Sequence, residues 1–321
     1  MNGATQVTTA DNDGIDLSII IPVVERYQDI AAVHADYKEH LDKTGLRYEI
    51  IYVVDDNKRD VLDLLNDMRR KEPIHLITLA ANYGEATALN TAFIHAAGRI
   101  LMTLPPYRQI ESSEIPKLLS ALDSHDMALA RRHPRRDSFI NRLQSRLFNS
   151  LLGRASGLQI HDAGCGVRAF RREILNDVHI YGDQHRFLPV FAHRQGFRVV
   201  EVDVAQSQDD VFRRVYPIGI YFRRLLDLLT VFFLIKFTKK PLRFFGLAGI
   251  GVTSAGLLWT AYLVIERIFF AVSLSDRPAL FLSSLLIVLG IQIVAIGLIG
   301  EIIIFTHARD LKEYKVDRIV N

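Results

Sequence analysis

Asp55 and Asp56 stand at the end of a short apolar run, residues 48–54 (YEIIYVV). Paired carboxylates at a strand end can accept hydrogen bonds from a nucleobase or from ribose hydroxyls. The competing role is a helix N-cap, for which Asp60 is better placed ahead of the helix predicted over 61–72. Asn82-Tyr83-Gly84 follows a second apolar run and opens a helical pattern, so its amides can meet an anion at a helix N-terminus; an ordinary strand-to-helix turn reads the same way. RRHPRR at 131–136 puts four arginines into six residues. Three readings stand for it: a solvated loop, a bidentate clamp on a diphosphate, or a contact with acidic lipid headgroups. Cys165 is the one cysteine, which excludes an internal disulfide and a cysteine metal cage, and its expected role is a small buried side chain. His161, His185 and His193 have no ligand-like spacing, so no zinc site is expected.

The elements that must position these groups follow from the hydrophobic pattern. Residues 17–23, 48–54, 74–79 and 100–104 are short, β-branched apolar runs, and helical patterns cover 29–44, 61–72 and 85–97. Continuously apolar strands alternating with helices predict a parallel sheet covered on both faces. Ligands in such sheets bind beyond the carboxyl ends of the strands. Residues 24–25, 55–56, 82–84 and 105–109 fall there. A net charge of +3 over 321 residues gives no reason to expect a nucleic-acid partner. The first 18 residues have neither a basic n-region nor an apolar h-region, and read as a polar tail rather than a signal peptide.

The last third is different in kind. Mean hydropathy is +0.14 for the whole chain, and the apolar excess is concentrated in two uncharged runs, 244–265 (22 residues) and 278–300 (23 residues). A helix needs roughly 20 apolar residues to cross a bilayer, so each run can span. Lys236, Lys239, Lys240 and Arg243 precede the first, and Arg309, Lys312, Lys315 and Arg318 follow the second. The positive-inside rule then puts both chain ends in the cytoplasm. Residues 216–237 mix Arg223, Arg224 and Asp227 with Leu and Phe, the pattern of an interfacial helix; a helix packed on the sheet is the alternative.

Seven segments in this order resemble glycosyltransferase family 2, in particular its membrane-anchored polyisoprenyl-phosphate glycosyltransferases related to dolichol-phosphate mannose synthase. They are IIIPVVE (19–25), YEIIYVVDD (48–56), LAANYGEATALNTAFIHAAG (79–98), IHDAGCGVRAFRRE (160–173), HRFLPVFAHRQGFRVVEVDV (185–204), KKPLRFFGLAGI (239–250) and GIQIVAIGLIGE (290–301). The resemblance implies an α/β fold, a GT-A (Rossmann-like), mostly parallel sheet domain, followed by an interfacial helix and two transmembrane helices. The expected division is a polar tail at 1–16, the GT-A domain at 17–210, a juxtamembrane amphipathic segment at 211–240, a transmembrane hairpin at 241–308 and a cytoplasmic tail at 309–321. It implies transfer of a sugar from a nucleoside diphosphate sugar to a polyprenyl phosphate at a bacterial-type inner membrane, by a homo-oligomer joined through the membrane helices. The lipid phosphate is itself the nucleophile, so the protein's work is positioning and charge stabilisation. Carried onto this chain, the catalytic residues are Gln109, Asp162 and Arg168. Pro22, Glu25, Asp55, Asp56, Asn82, Gly84 and Arg108 fall at the nucleotide sugar, and Arg131, Arg132, Arg213 and Arg214 at phosphate or lipid.

The family usually holds Mg²⁺ or Mn²⁺ on a D-x-D motif. Here Pro105 and Tyr107 occupy the two aspartate positions, while Gln109 and Glu114 still match. Neither proline nor an un-ionised tyrosine supplies the carboxylate oxygen these cations prefer, so no metal ligands are assigned. The family's D-D-G-S turn reads Asp55-Asp56-Asn57-Lys58, and its basic G-x-S-K-Y stretch carries Asp209 and Asp210, with Arg213 and Arg214 nearby. Two readings follow. In one, the enzyme works without a tightly held metal, and Arg108, Arg131, Arg132 or Lys58 neutralises the diphosphate. In the other, the chain is a degenerate paralogue, a scaffold or regulatory subunit that binds lipid, nucleotide or an active partner. A transporter is disfavoured, because Glu266, Arg267 and Glu301 all lie near span ends.

Overall fold

Seven strands form one sheet in the order β3-β2-β1-β4-β6-β5-β7. They are β1 (Leu17–Val23), β2 (Tyr48–Asp55), β3 (Ile74–Leu79), β4 (Ile100–Thr103), β5 (Met127–Arg132), β6 (Arg168–Arg171) and β7 (Val199–Val204). The computed structural model describes residues 14–24, 26–55, 57–178, 182–210, 241–270 and 278–307, together with 219, 226 and 229. The chain divides into two compact units, one carrying the sheet and the other the C-terminal helices. The expected interfacial helix over 216–237 and the cytoplasmic tail at 309–321 lie outside the described residues, save for the three isolated positions.

The first four strands are those read from the apolar runs, and they pair in parallel, β1 lying between β2 and β4. β5, β6 and β7 extend the sheet beyond that reading. β6 runs antiparallel to both of its neighbours, while β5 and β7 are parallel. The GT-A type of mostly parallel sheet is therefore present, with one reversed strand.

Side chains alternate across a strand. In β1, Leu17, Ile19, Ile21 and Val23 face a core that includes Ile30, Val33, Tyr37 and Leu41 of helix α1 (Ile30–Asp42). Val61 and Leu65 of α2 (Arg59–Arg69) and Leu118 of α4 (Ile115–Ser120) join the same core. Phe93 of the intervening α3 (Glu85–His95) packs edge-on to Phe170 of β6, with ring centroids 5.7 Å apart. Phe170 is fully buried; cutting it to alanine removes a packed ring and costs about 3–5 kcal/mol.

Two helix starts differ from the expectations by one or two residues, whereas α3 begins at Glu85 as expected. Asp29 does not open α1 but caps it, its Oδ1 accepting from the amides of Ala31 and Ala32 at 3.1 and 3.2 Å. α2 starts at Arg59, so Asp60 lies in its first turn, where a carboxylate complements the helix dipole, and is not the N-cap. Among the described residues this unit also carries α5 (Phe139–Ser156), the single turn α6 (Ile174–Asp177) and α7 (Leu188–Arg194).

In the second unit, α8 (Pro241–Phe270) and α9 (Pro278–His307) are each 30 residues long, longer than the uncharged runs. Their most apolar windows have mean hydropathies of 1.6 and 2.6, and both are long and apolar enough to cross a membrane. They touch through small residues. A Cβ on Gly249 would stand 2.6 Å from the carbonyl oxygen of Gly290, and one on Gly256 2.9 Å from that of Ser283. Such close backbone approach is how apolar helices gain contact where no hydrophobic driving force separates helix from lipid. Thr260 Oγ1 meets Ser283 Oγ at 3.0 Å, and Glu301 Oε2 accepts from the Leu242 amide at 3.3 Å, satisfying one open donor at the start of α8.

Candidate functional site

The carboxyl ends of β1, β2 and β4 bring Pro22, Asp55 and the 105–109 segment to one edge of the sheet. Asp55 is 3% exposed, and its Oδ1 has no hydrogen-bond partner among the described residues. An unpaired buried acceptor of this kind costs about 1–3 kcal/mol, which a ligand donor recovers. Lys58 Nζ donates to the Val24 carbonyl and lies 4.9 Å from the centroid of the Tyr27 ring, so it pins the β1 tip to the start of α2. At the β3 end, the Gly84 amide donates to Asn82 Oδ1 at 3.0 Å. Gly84 has φ +84°, a conformation that favours glycine.

The β4 tip is held from several sides. The Tyr37 hydroxyl donates to the carbonyls of Pro105 and Tyr107, both at 3.0 Å. Gln109 is buried, and its Oε1 accepts from the Gly166 amide at 2.8 Å. The expected catalytic Gln109 thus clamps the β4 tip to the loop that precedes β6. Cys165, buried beside it, has its thiol pushed up to about 12 by burial, in line with the expected small buried side chain.

The arginines sort by partner. Arg132 reaches Asp162 with Nε to Oδ2 at 2.7 Å and Nη2 to Oδ1 at 2.8 Å, and its Nη1 reaches Asp210 Oδ2 at 2.7 Å. All three residues are buried. Burial opposes both charges of the Arg132–Asp162 pair, but their mutual bonds outweigh it, holding Asp162 below and Arg132 well above the ordinary values. Asp210 goes the other way: burial pushes its carboxyl up despite the arginine. Arg131 projects to Asp203 at 3.4 Å near the surface. Arg168 is not a surface ion pair. It is 5% exposed and donates to the carbonyls of His185 at 2.6 Å and Cys165 at 3.5 Å, and burial lowers its pKa. Arg108 bonds Asp36, the Ala32 carbonyl and Asp209. Glu25, Asp56, Arg213 and Arg214 lie outside the described residues.

Arg26 and Glu85 were not singled out from the sequence, and His185 entered only as a histidine without ligand-like spacing. Arg26 lays its guanidinium over the Tyr107 ring, 4.0 Å from the centroid. Glu85 and His185 line, with Arg168, Thr103 and Pro105, a small recess. There His185 Nε2 lies 3.4 Å from Glu85 Oε2, and its buried Nδ1 has no partner among the described residues. Burial opposes ionisation of Glu85, but the bond to His185 and the charges of Arg186 and Arg168 hold its carboxyl below the usual range.

The family's divalent cation does not fit the donors found among the described residues. Burial, aided by the Asp210 charge, pushes the Tyr107 phenol up to about 12, so it carries no anionic oxygen near neutral pH. Asp162 and Asp210 are already taken by Arg132. Among the described residues no three His, Cys, Asp or Glu side chains group as a metal site.

A mostly parallel sheet of this order, with Pro22, Asp55 and the 105–109 segment at the strand ends, is of the GT-A type. The chain belongs to glycosyltransferase family 2, whose model, Glycosyl transferase family 2, matches residues 18–178. It is 30% identical over 317 residues to an undecaprenyl-phosphate 4-deoxy-4-formamido-L-arabinose transferase of Shewanella sediminis, covering 96% of this chain and 94% of that protein. It is 27% identical over 305 residues to a dodecaprenyl-phosphate galacturonate synthase of Rhizobium johnstonii, covering 92% and 90%. Among solved structures, glucosyl-3-phosphoglycerate synthase of Mycobacterium tuberculosis shares the fold with a TM-score of 0.51 at 12% identity, covering 69% of this chain and 81% of that one.

Proposed function

We propose that the chain transfers a sugar from a nucleoside diphosphate sugar to a polyprenyl phosphate at the cytoplasmic face of a membrane. α8 and α9 are taken to cross that membrane with both chain ends inside, on the strength of the flanking Lys and Arg. Their apolar side chains are largely exposed within the unit, as at Leu247, Phe269, Phe281 and Phe305, which suits lipid contact better than a soluble core. Self-association through these helices is part of the same proposal. In the reaction, an ionised lipid phosphate oxygen bonds to the anomeric carbon. The bond from that carbon to the donor's diphosphate breaks, and the electron pair leaves on the nucleoside diphosphate, so no protein base is needed.

The observation that carries the reading is the buried Oδ1 of Asp55 at the end of β2, which has no partner among the described residues. A nucleobase N–H or a ribose hydroxyl supplies the donor it lacks. Gln109 and Asp162 then act through the loop geometry they hold, and Arg168 through the recess it lines. Full-length protein in detergent should melt at higher temperature with a UDP- or GDP-sugar, with EDTA present, and Asp55→Asn should remove most of that shift. No stabilisation by any common UDP- or GDP-sugar would sink this reading.

A second reading is favoured by the replacement of the metal-binding positions with Pro105 and Tyr107 and by the salt-bridged state of Arg132. It is that of a degenerate member that binds lipid, nucleotide or an active partner without turnover. Nucleotide binding with no transfer of labelled sugar to undecaprenyl phosphate would select it.

A further inference from the structure

We propose that Arg26 and Arg108 form a metal-independent seat for a diphosphate, and that the chain's own Asp209 fills this seat until a ligand displaces it. The proposal rests on the nucleotide-binding reading above. The two guanidiniums come from adjacent strand tips, Arg26 shortly after β1 and Arg108 after β4. They converge on one residue: Arg26 Nη2 donates to the Asp209 carbonyl at 3.1 Å, and Arg108 Nη1 to the Asp209 carboxylate at 3.4 Å.

Both guanidiniums are held in place independently of Asp209. Arg108 is anchored by Asp36 through Nε at 3.0 Å and by the Ala32 carbonyl through Nη2 at 3.1 Å. Arg26 is stacked on Tyr107 at 4.0 Å and paired with Asp210 at 3.4 Å. The Asp209 contact is the longest bond that the Arg108 guanidinium makes, with the Asp209 side chain 48% exposed. Exposed ion pairs of this length contribute little to stability, so the carboxylate can leave at small cost. A diphosphate brings more negative charge and a bidentate geometry suited to guanidinium forks.

Three other arginines among the described residues are less able to take this part. Arg132 is buried and held by Asp162 and Asp210, Arg168 is buried among carbonyls, and Arg131 points to Asp203. Tyr107, standing where the family carries a metal-binding carboxylate, here supports a cation instead of binding one.

The test is calorimetry on full-length protein in detergent, with UDP, GDP and inorganic pyrophosphate as probes, in EDTA and in Mn²⁺. Binding should be as strong in EDTA as in Mn²⁺. Arg26→Ala and Arg108→Ala should each weaken all three probes roughly tenfold, the weight of one charge-assisted hydrogen bond. Asp209→Asn should strengthen them severalfold. Binding that requires Mn²⁺, or affinities unchanged in Arg26→Ala and Asp209→Asn, overturns the seat while leaving nucleotide binding intact. Pyrophosphate binding lost in Arg26→Ala, with UDP and GDP inert, supports the seat and overturns the nucleotide reading. Wild type and Asp209→Asn that melt cooperatively but take none of the three probes overturn both.

Discussion

Arg132 and Asp162 form a two-pronged ion pair beneath the strand tips, both side chains at most 6% exposed. Removing one partner of such a pair strands a buried charge and typically costs about 3–5 kcal/mol. Asp162→Ala and Arg132→Ala should therefore lower the melting temperature sharply. The pH dependence has a definite sign. Asp162 is depressed below its ordinary 3.8, so its contribution is complete above that value and is lost as pH falls through the depressed one. Asp210 is raised by burial and works oppositely, relieving a cost as it protonates. Comparing wild type with Asp162→Asn between about pH 3 and 7 isolates the first effect, as a difference that shrinks toward the acid end.

The thiol of Cys165 is buried and its pKa is pushed up to about 12. Reactivity follows thiolate content and access. Native protein should resist a maleimide reagent at pH 7.5 over hours, and should take up one label per chain on denaturation. Rapid labelling of the folded protein would contradict the packing around Gln109.

The two long helices discriminate between glycines. A Cβ at Gly290 would lie 2.2 Å from Thr253 Oγ1 and 2.7 Å from the Gly249 carbonyl oxygen, whereas one at Gly251 meets nothing within 4 Å. Gly290→Ala should destabilise the hairpin by about 1–3 kcal/mol through overpacking. Gly251→Ala should be neutral or slightly stabilising from helix propensity. Thermal melts of both variants in one detergent check the contrast.

Restoring carboxylates at Pro105 and Tyr107 tests the metal argument from the other side. The double variant Pro105→Asp with Tyr107→Asp should acquire Mn²⁺-dependent UDP or GDP affinity, measured by calorimetry. Arg26, whose guanidinium carbon is 4.0 Å from the centre of the present Tyr107 ring, opposes a cation there. Adding Arg26→Ser should enlarge the gain. Unchanged affinity in the triple variant would mean that the crevice departs from its family in more than these positions.

The first four strands were legible because each is a short run rich in apolar residues, and LSIIIPV of β1 is buried at every position. The next three were not. β6 is four residues long with arginine at both ends, and β7 is an edge strand whose residues are mostly half-buried. Asp55 was found because a carboxylate ending an apolar run is a local signal. Arg26 was not, because Tyr107 and Asp210 are distant in sequence and only the fold joins them. The RRHPRR run shows the converse limit: strand alternation turns Arg131 outward and Arg132 inward, so adjacent identical residues take opposite roles that a charge count cannot separate.

The reversed strand β6 also sets an order of assembly. It pairs with β4 on one side and β5 on the other, Thr103 and Leu129 both standing opposite Arg168. On a ribosome, both neighbours emerge well before the short segment that joins them, so each spends that interval with an unpaired edge open to wrong partners. Nascent chains arrested before residue 168 should therefore depend on holdase chaperones, and release from them should coincide with exposure of Arg168–Arg171.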